Sequence, residues 1–137
     1  MAFRDWWKYS EPDDATMRGV VDQLIGDDRA EFLLGAPADG TPAAGVCQLR
    51  FRPSVWTGAD DAWLEDLFVT DAARGTGLGR RLTEFAFERA ADRGCARIQL
   101  DVYEHNDAAR KLYESLGFAS PSGWAGGTTL LMTKRLR

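Results

Sequence analysis

The chain has 137 residues, 45% of them hydrophobic and 28% charged, which fits one globular domain over 1–137 built on a single core. A net charge of −4 and a pI near 5.0, with no long block of Lys and Arg, argue against a nucleic-acid surface and favour a cationic or neutral small molecule. No apolar run approaches the roughly 20 residues that span a bilayer, and Met1 to Tyr9 carries charges and tryptophans in place of a signal-peptide core, so the expectation is a soluble cytoplasmic protein without a membrane partner.

Ser10-Glu11-Pro12-Asp13 reads as a helix start, with Ser10 as cap, and Met17, Val20, Val21 and Leu24 then recur as one apolar stripe up to Gly26. Glu31 to Leu34 reads as a short strand, Ala36 to Pro42 as a turn, and Ala44 to Arg52 as a second strand with Cys47, Leu49 and Phe51 on one face. Pro53 to Ala62 reads as a loop. Trp63 to Val69 is a nearly continuous apolar strand, the pattern of a sheet interior, and two adjacent acids, Glu65 and Asp66, interrupt it.

Arg74-Gly75-Thr76-Gly77-Leu78-Gly79 follows, and then a helix from Leu78 to Arg93 with Leu78, Leu82, Phe85 and Ala86 at helical spacing. Glycines at alternate positions let the main chain turn tightly before a helix whose first N–H groups have no partner within it, which makes a cradle for an anion. Arg97 to Tyr103 alternates as a strand, so strand, helix and strand form a right-handed parallel βαβ unit with the glycine turn at the carboxyl end of the sheet. A second helix opens at Asn106, a good N-cap, carries Ala109, Leu112, Tyr113 and Leu116 on one face and ends at Gly117. Thr128 to Leu136 reads as the last strand. Neither cysteine, Cys47 or Cys95, stands in a CxxC or beside a His at metal-ligand spacing, so no metal is expected and both read as buried reduced thiols.

Two nucleotide motifs fail on residue grounds. A P-loop needs Lys and then Ser or Thr after its last glycine, where this chain has Arg80-Arg81, and the spacing of Gly75, Gly77 and Gly79 is not G-x-G-x-x-G. The strand Leu64 to Val69, the turn matching R-x-x-G-x-G, and Asn106-Asp107-Ala108-Ala109 through Leu112-Tyr113-Glu114 and Leu116-Gly117-Phe118 together resemble the GNAT superfamily of acyl-CoA-dependent N-acetyltransferases over Ala62 to Phe118. Leu64-Glu65-Asp66-Leu67-Phe68-Val69 is most similar to the diamine, polyamine and thialysine branch. The resemblance implies an α/β (α+β) GNAT fold: a mixed, mostly antiparallel sheet with a splayed parallel βαβ unit that binds acyl-CoA.

It also implies roles. Transfer to an amine needs a base, because a lysine-like amine has a pKa near 10.4, and Glu65 matches the glutamate to which relatives give that task. Backbone N–H near Leu67 or Phe68, at a bulge, would receive the oxyanion, and Leu67, Phe68 and Val69 would pair with the pantetheine amides. Gly75, Thr76, Gly77, Leu78, Gly79 and Arg80 would hold the pyrophosphate, with Arg74 and Arg80 adding charge. Tyr113 matches the tyrosine that protonates the leaving thiolate, and Asn106 would touch the pantetheine arm. The co-substrate is then acetyl-CoA and the acceptor a small primary amine, drawn by Asp60, Asp61, Glu65, Asp66 and Glu104.

Each residue is open to a plainer reading. Glu65 also fits a solvated strand position, Asp66 a pairing role, Tyr113 a core position and His105 a surface position, with Trp6, Trp7 and Trp56 read as packing or interface residues. A peptide or protein amine as acceptor, or a non-catalytic acyl-CoA-binding module, fits the same motifs. Relatives usually open with a strand and one or two helices that wall the acceptor pocket, and Met1 to Tyr9 reads poorly as a strand; an aromatic N-terminus, or the final strand, packed on a second subunit of a homodimer is one way to complete that wall.

Overall fold

The computed structural model of the chain describes residues 2–119 and 132–134, which fall in two compact units, Met1–Leu100 and Asp101–Arg137. The first unit holds α1 (Ala2–Trp6), α2 (Asp14–Ile25), β1 (Ala30–Gly35), β2 (Gly45–Ser54), β3 (Ala59–Val69), a 3-10 turn (Asp71–Ala73), α3 (Leu78–Asp92) and β4 (Arg97–Gln99). The second holds α4 (Asp107–Ser115). The expected strand 128–136 lies for the most part outside the described residues.

The four strands form one sheet in the order β1-β2-β3-β4, antiparallel except for the parallel pair β3–β4. This is the mixed α/β fold expected, and the differences from the sequence reading have local causes. Asp13, not Ser10, caps α2 by accepting from the Thr16 N–H at 2.8 Å, and that contact holds the Asp13 carboxyl below the usual carboxylate range. The stripe of α2 is only partly covered, with Val20 48% exposed. The segment read as the loop 53–62 is mostly strand, because Asp60 and Asp61 belong to β3. Beyond Gln99 the expected seven-residue strand stops, since β3 offers β4 partners only from Asp61 to Trp63.

The reason β3 leaves β4 lies two residues past Trp63. Gln48 faces Asp66 and Leu49 faces Leu64, so Glu65 is an extra residue with no counterpart across the ladder. An extra residue bends and twists a strand and reverses the alternation of faces. Before it, Ala62 and Leu64 lie opposite Phe51 and Leu49; after it, Leu67 and Val69 lie opposite Cys47 and Gly45. All four thereby reach the core on which α3 packs, together with Leu33, Leu78, Leu82 and Ala86. The resemblance placed the bulge at Leu67 or Phe68; it stands at Glu65.

Helix α3 is seated closely at its N-terminal end. Gly35 and Gly45 face one another across β1 and β2, and a Cβ on Gly45 would come within 2.8 Å of Leu82 Cδ1 and 3.2 Å of the Phe68 carbonyl oxygen. Leu78 and Leu82 fill that gap, each burial stabilising by about 1.5–3 kcal/mol. Thr83, which the helical pattern did not single out, is fully buried and donates to the Gly79 carbonyl at 2.8 Å, whereas Phe85 is 45% exposed. At the other end Arg89 forks onto Glu31 at 2.9 and 3.1 Å and Arg93 joins it at 3.4 Å, tying α3 to β1.

The closed end of the β3–β4 pair is held by charge. Arg97 donates to Asp61 Oδ2 from Nε at 2.9 Å and from a terminal nitrogen at 2.8 Å, and the Thr57 hydroxyl bonds Oδ1 at 3.1 Å. Burial pushes the Asp61 carboxyl up, but the hydrogen bonds from Arg97, Thr57 and Ser54 outweigh it and leave the pKa below the ordinary value. Asp61 is therefore a clasp at the start of β3 and not part of an acidic crevice mouth.

Two stability predictions follow from these contacts. Gly45→Ala forces Leu82 and the β3 backbone apart and lowers stability by about 1–3 kcal/mol, read from the urea unfolding midpoint. For Asp61, a folded pKa below the unfolded value of about 3.9 adds stability above that pH and loses it as pH falls through the folded value. Asp61→Asn is accordingly less stable near pH 6 and shows a flatter decline than the wild type below about pH 4 in the same assay.

Candidate active site

Three features of the first unit meet the sequence reading of a ligand site. The first is the glycine turn. Gly75 and Gly77 have φ of 74° and 82°, the left-handed region that side chains rarely adopt, and Gly77 is the N-cap of α3 with no side chain capping the helix. The first N–H groups of α3 thus lack a side-chain acceptor, and the positive end of the helix dipole adds to them. Thr76 braces the turn by donating its hydroxyl to the Ala73 carbonyl at 2.6 Å, and Arg81 donates to the Thr76 carbonyl at 3.2 Å.

The second feature is the edge of β3. Past Trp63 no strand pairs with it on the β4 side among the described residues, so Leu64 to Val69 present main-chain groups along a splayed edge. Leu67 and Val69 are partly buried against the core, whereas Phe68 is buried on the opposite face, where Phe3 of α1 stacks on it at 5.3 Å. The third feature is Glu65, an exposed carboxylate on the bulge itself. Asp66 is half-buried and sits opposite Gln48 on the face away from α3.

The arginines divide differently from the sequence reading. Arg74 donates from Nε to the Val69 carbonyl at 3.1 Å, pairs with Asp71 at 2.9 Å and lies 4.6 Å above the Trp6 ring. Arg80 pairs with Glu84 one turn along α3 at 3.6 Å. Arg81, which the motif did not mark, forms no ion pair among the described residues and lies beside Gly77. The pairs Asp71–Arg74 and Arg80–Glu84 are local, whereas the contacts of Arg74 with Trp6 and the Val69 carbonyl depend on where α1 and the end of β3 lie.

The aromatic N-terminus is accounted for within the chain. Phe3 and Trp6 pack on Phe68 and Arg74, while Trp6 and Tyr9 remain 41% and 60% exposed. Trp56, at the tip of the β2–β3 hairpin, is 85% exposed. A depression of about 360 Å³ lined by Pro53, Ser54, Val55, Gly58, Ala59 and Asp60 adjoins that tip. It sits at the far end of β3 from the glycine turn, roughly 30 Å away at the usual rise per strand residue, and holds none of the expected site residues.

Neither thiol suits an acyl-cysteine route. Burial, with Asp66 nearby, pushes the Cys47 thiol up to about 12, and burial also raises Cys95, which is half-buried and not fully enclosed as expected. Among the described residues no group of three His, Cys, Asp or Glu is placed to hold a metal ion, and no helix is long and apolar enough to cross a membrane.

In the second unit, Asn106 caps α4 as expected, its side-chain oxygen accepting from the Ala109 N–H at 3.3 Å. Tyr113 is buried, 8% exposed, with its ring edge-on to Phe118 at 5.5 Å. His105 is exposed and stacks on Tyr103 at 5.5 Å.

An alanine at Gly77 must adopt φ near +82°, at a cost of about 1–2 kcal/mol, or tilt the turn away from its present direction. Gly77→Ala is expected to raise the Kd for coenzyme A at least about tenfold in calorimetric titration while the far-ultraviolet circular dichroism stays native.

Comparison with known proteins agrees with this geometry. A sequence model of the Acetyltransferase (GNAT) family matches residues 1–118, further toward the N-terminus than the motifs alone reach. Thialysine N-epsilon-acetyltransferase of Bos taurus is 33% identical over 97 residues, 67% of this chain and 56% of its own, so this chain spans little more than half of that relative. Aminoglycoside N(6')-acetyltransferase type 1 of Salmonella typhimurium strain LT2 is 29% identical over 110 residues, 78% of this chain and 74% of its own. Among solved structures, AAC(6')-Iy in complex with the bisubstrate analog CoA-S-monomethyl-acetylneamine superposes with a TM-score of 0.71 at 24% identity, over 93% of this chain and 82% of that one, a likeness of fold. With the family model covering most of its length, the chain belongs to the GNAT acetyltransferase family.

Proposed function

We propose that the protein transfers the acetyl group of acetyl-CoA to a primary amine on a small cationic acceptor, by direct attack and without an acyl-enzyme. The observation that carries this reading is the exposed carboxylate of Glu65 on the β3 bulge, in the same βαβ unit as the glycine turn and the open strand edge. These residues fit coenzyme A: an uncapped helix N-terminus suits a pyrophosphate, and an unpaired strand edge suits amides that hydrogen-bond as a strand does. When bound, the co-substrate supplies an activated thioester.

The rest of the work falls to the chain. Glu65 takes a proton from the acceptor ammonium, directly or through one water, so that the amine lone pair can attack. One main-chain N–H of the strand, at Leu67 or Phe68, donates to the acyl oxygen as negative charge develops on it. Tyr113 is the proposed proton donor to the departing sulfur, a role taken from the family resemblance and consistent with a phenol whose ordinary pKa is near 10. Asn106 acts first as the α4 cap, with a pantetheine contact as an added role. The high pKa of Cys47 supports direct transfer, because a protonated thiol is a poor nucleophile. The names of the thialysine and aminoglycoside relatives support an amine acceptor of small size and positive charge.

Free-thiol release from acetyl-CoA across polyamines, thialysine and lysine, aminoglycosides and peptides tests the proposal. Turnover with a small polyamine or amino acid supports it; turnover with peptides alone identifies a protein acetyltransferase, and coenzyme A binding without release identifies a non-catalytic module. Glu65→Gln is expected to lower kcat/KM by about 10²–10³-fold and to remove the acid limb of its pH profile. Tyr113→Phe is expected to lower kcat about 10–100-fold with the Kd for coenzyme A unchanged, in steady-state kinetics paired with calorimetry.

A further inference from the structure

We propose that Trp6 is a positioning residue for the glycine turn, acting through Arg74, and that Arg74 braces the turn against the N-terminal helix and the end of β3 and is not a phosphate ligand. The inference rests on reading this turn as the coenzyme A site. Arg74 opens the R-x-x-G-x-G motif, and its guanidinium is engaged from several sides: Trp6 stacks on it at 4.6 Å, the Phe68 ring lies 6.0 Å away, Asp71 pairs with it at 2.9 Å and the Val69 carbonyl accepts from Nε at 3.1 Å.

Trp6 is itself held in place. Three residues earlier in α1, Phe3 stacks on Phe68, and Arg4 donates to the Pro12 carbonyl at 2.9 Å and pairs with Asp14 at 2.9 Å. Trp7 sets its ring edge-on to Trp6 at 4.9 Å. The contacts form a chain from α1 across the end of β3 to the turn.

The physical consequence concerns direction. A guanidinium stacked on an indole keeps its plane, so Nε stays aimed at the Val69 carbonyl and fixes the path from the last residue of β3 to Arg74. Gly75 and Gly77 follow at once, the two residues with the most backbone freedom in this stretch. A fixed point immediately before them sets where their N–H groups point before any ligand arrives. Asp71 offsets the charge of Arg74, whose side chain stays 42% exposed, whereas Arg81, with no ion pair among the described residues, keeps its charge beside Gly77.

The test uses the full chain and the variants Trp6→Ala, Trp6→Phe, Arg74→Ala and the Trp6→Ala/Arg74→Ala double variant. Hydrogen exchange of the ligand-free protein comes first: the amides of Ala73, Arg74 and Arg81, bonded to the carbonyls of Thr70, Asp71 and Gly77, are expected to exchange about tenfold faster in Trp6→Ala than in the wild type, with Trp6→Phe restoring protection. In calorimetry with coenzyme A, Trp6→Ala is expected to raise Kd about 2–5-fold, the range of an exposed cation–π contact, and the double variant to lose no more than Arg74→Ala alone. The salt dependence of Kd is expected to be the same in Arg74→Ala as in the wild type, since no phosphate loses a counter-charge. Unchanged exchange in Trp6→Ala, additive losses in the double variant or a weakened salt dependence in Arg74→Ala overturns the proposal. If the wild type binds no coenzyme A, the reading of the site fails, and the exchange experiment still decides whether Trp6 holds the turn.

Discussion

The extra residue at Glu65 is the constraint on which the rest of the first unit depends. In a strand with a period of two, residues three apart point to opposite faces. Leu64 and Leu67 nevertheless both reach the core, because the bulge between them changes the phase of β3. Without it, Leu67 and Val69 would turn away from α3 while Asp66 and Phe68 turned toward it. One inserted residue thus reconciles the two apolar halves of the strand, ends its pairing with β4, and presents a carboxylate where the strand bends.

The helix that follows is fixed at both ends by different physics. Its N-terminal end is held by shape, since Gly35 and Gly45 leave room for Leu78 and Leu82 and for nothing larger. Its C-terminal end is held by charge, through Arg89 and Arg93 on Glu31. Packing sets position closely because interiors are dense and repulsion is steep, whereas partly exposed ion pairs give modest stabilisation. The end that presents N–H groups is the end set by packing. The Asp61–Arg97 clasp does the matching task for the sheet, holding β3 and β4 together at one end so that their divergence begins at a defined residue.

The candidate site was partly legible in the sequence, and the limits have physical reasons. The glycine turn, the Asn106 cap and the order of elements were readable because each rests on local rules: permissive φ, side-chain capping and hydrophobic period. The position of the bulge was not, since Glu65-Asp66 carries no local mark that says which residue is extra. The stacking of Arg74 on Trp6 was not either. Arg74 meets Trp6, 68 positions earlier, and α1 itself escaped the reading because a five-residue helix leaves too few turns to show a period. Asp61 was read as a surface acid because burial of a charge is decided by a partner 36 residues away.

By itself, the sequence determined the βαβ unit, the glycine turn and the Asn106 cap, because these follow from short-range sterics and hydrogen bonding. It also marked Glu65 and Tyr113 as residues able to move a proton. Only the tertiary structure decided that Glu65 stands on the bulge, that Asp61 is a buried clasp, and that the first arginine of the turn is held by the N-terminal helix. Those outcomes depend on register and on contacts between distant segments, where one added residue changes which face every later side chain meets.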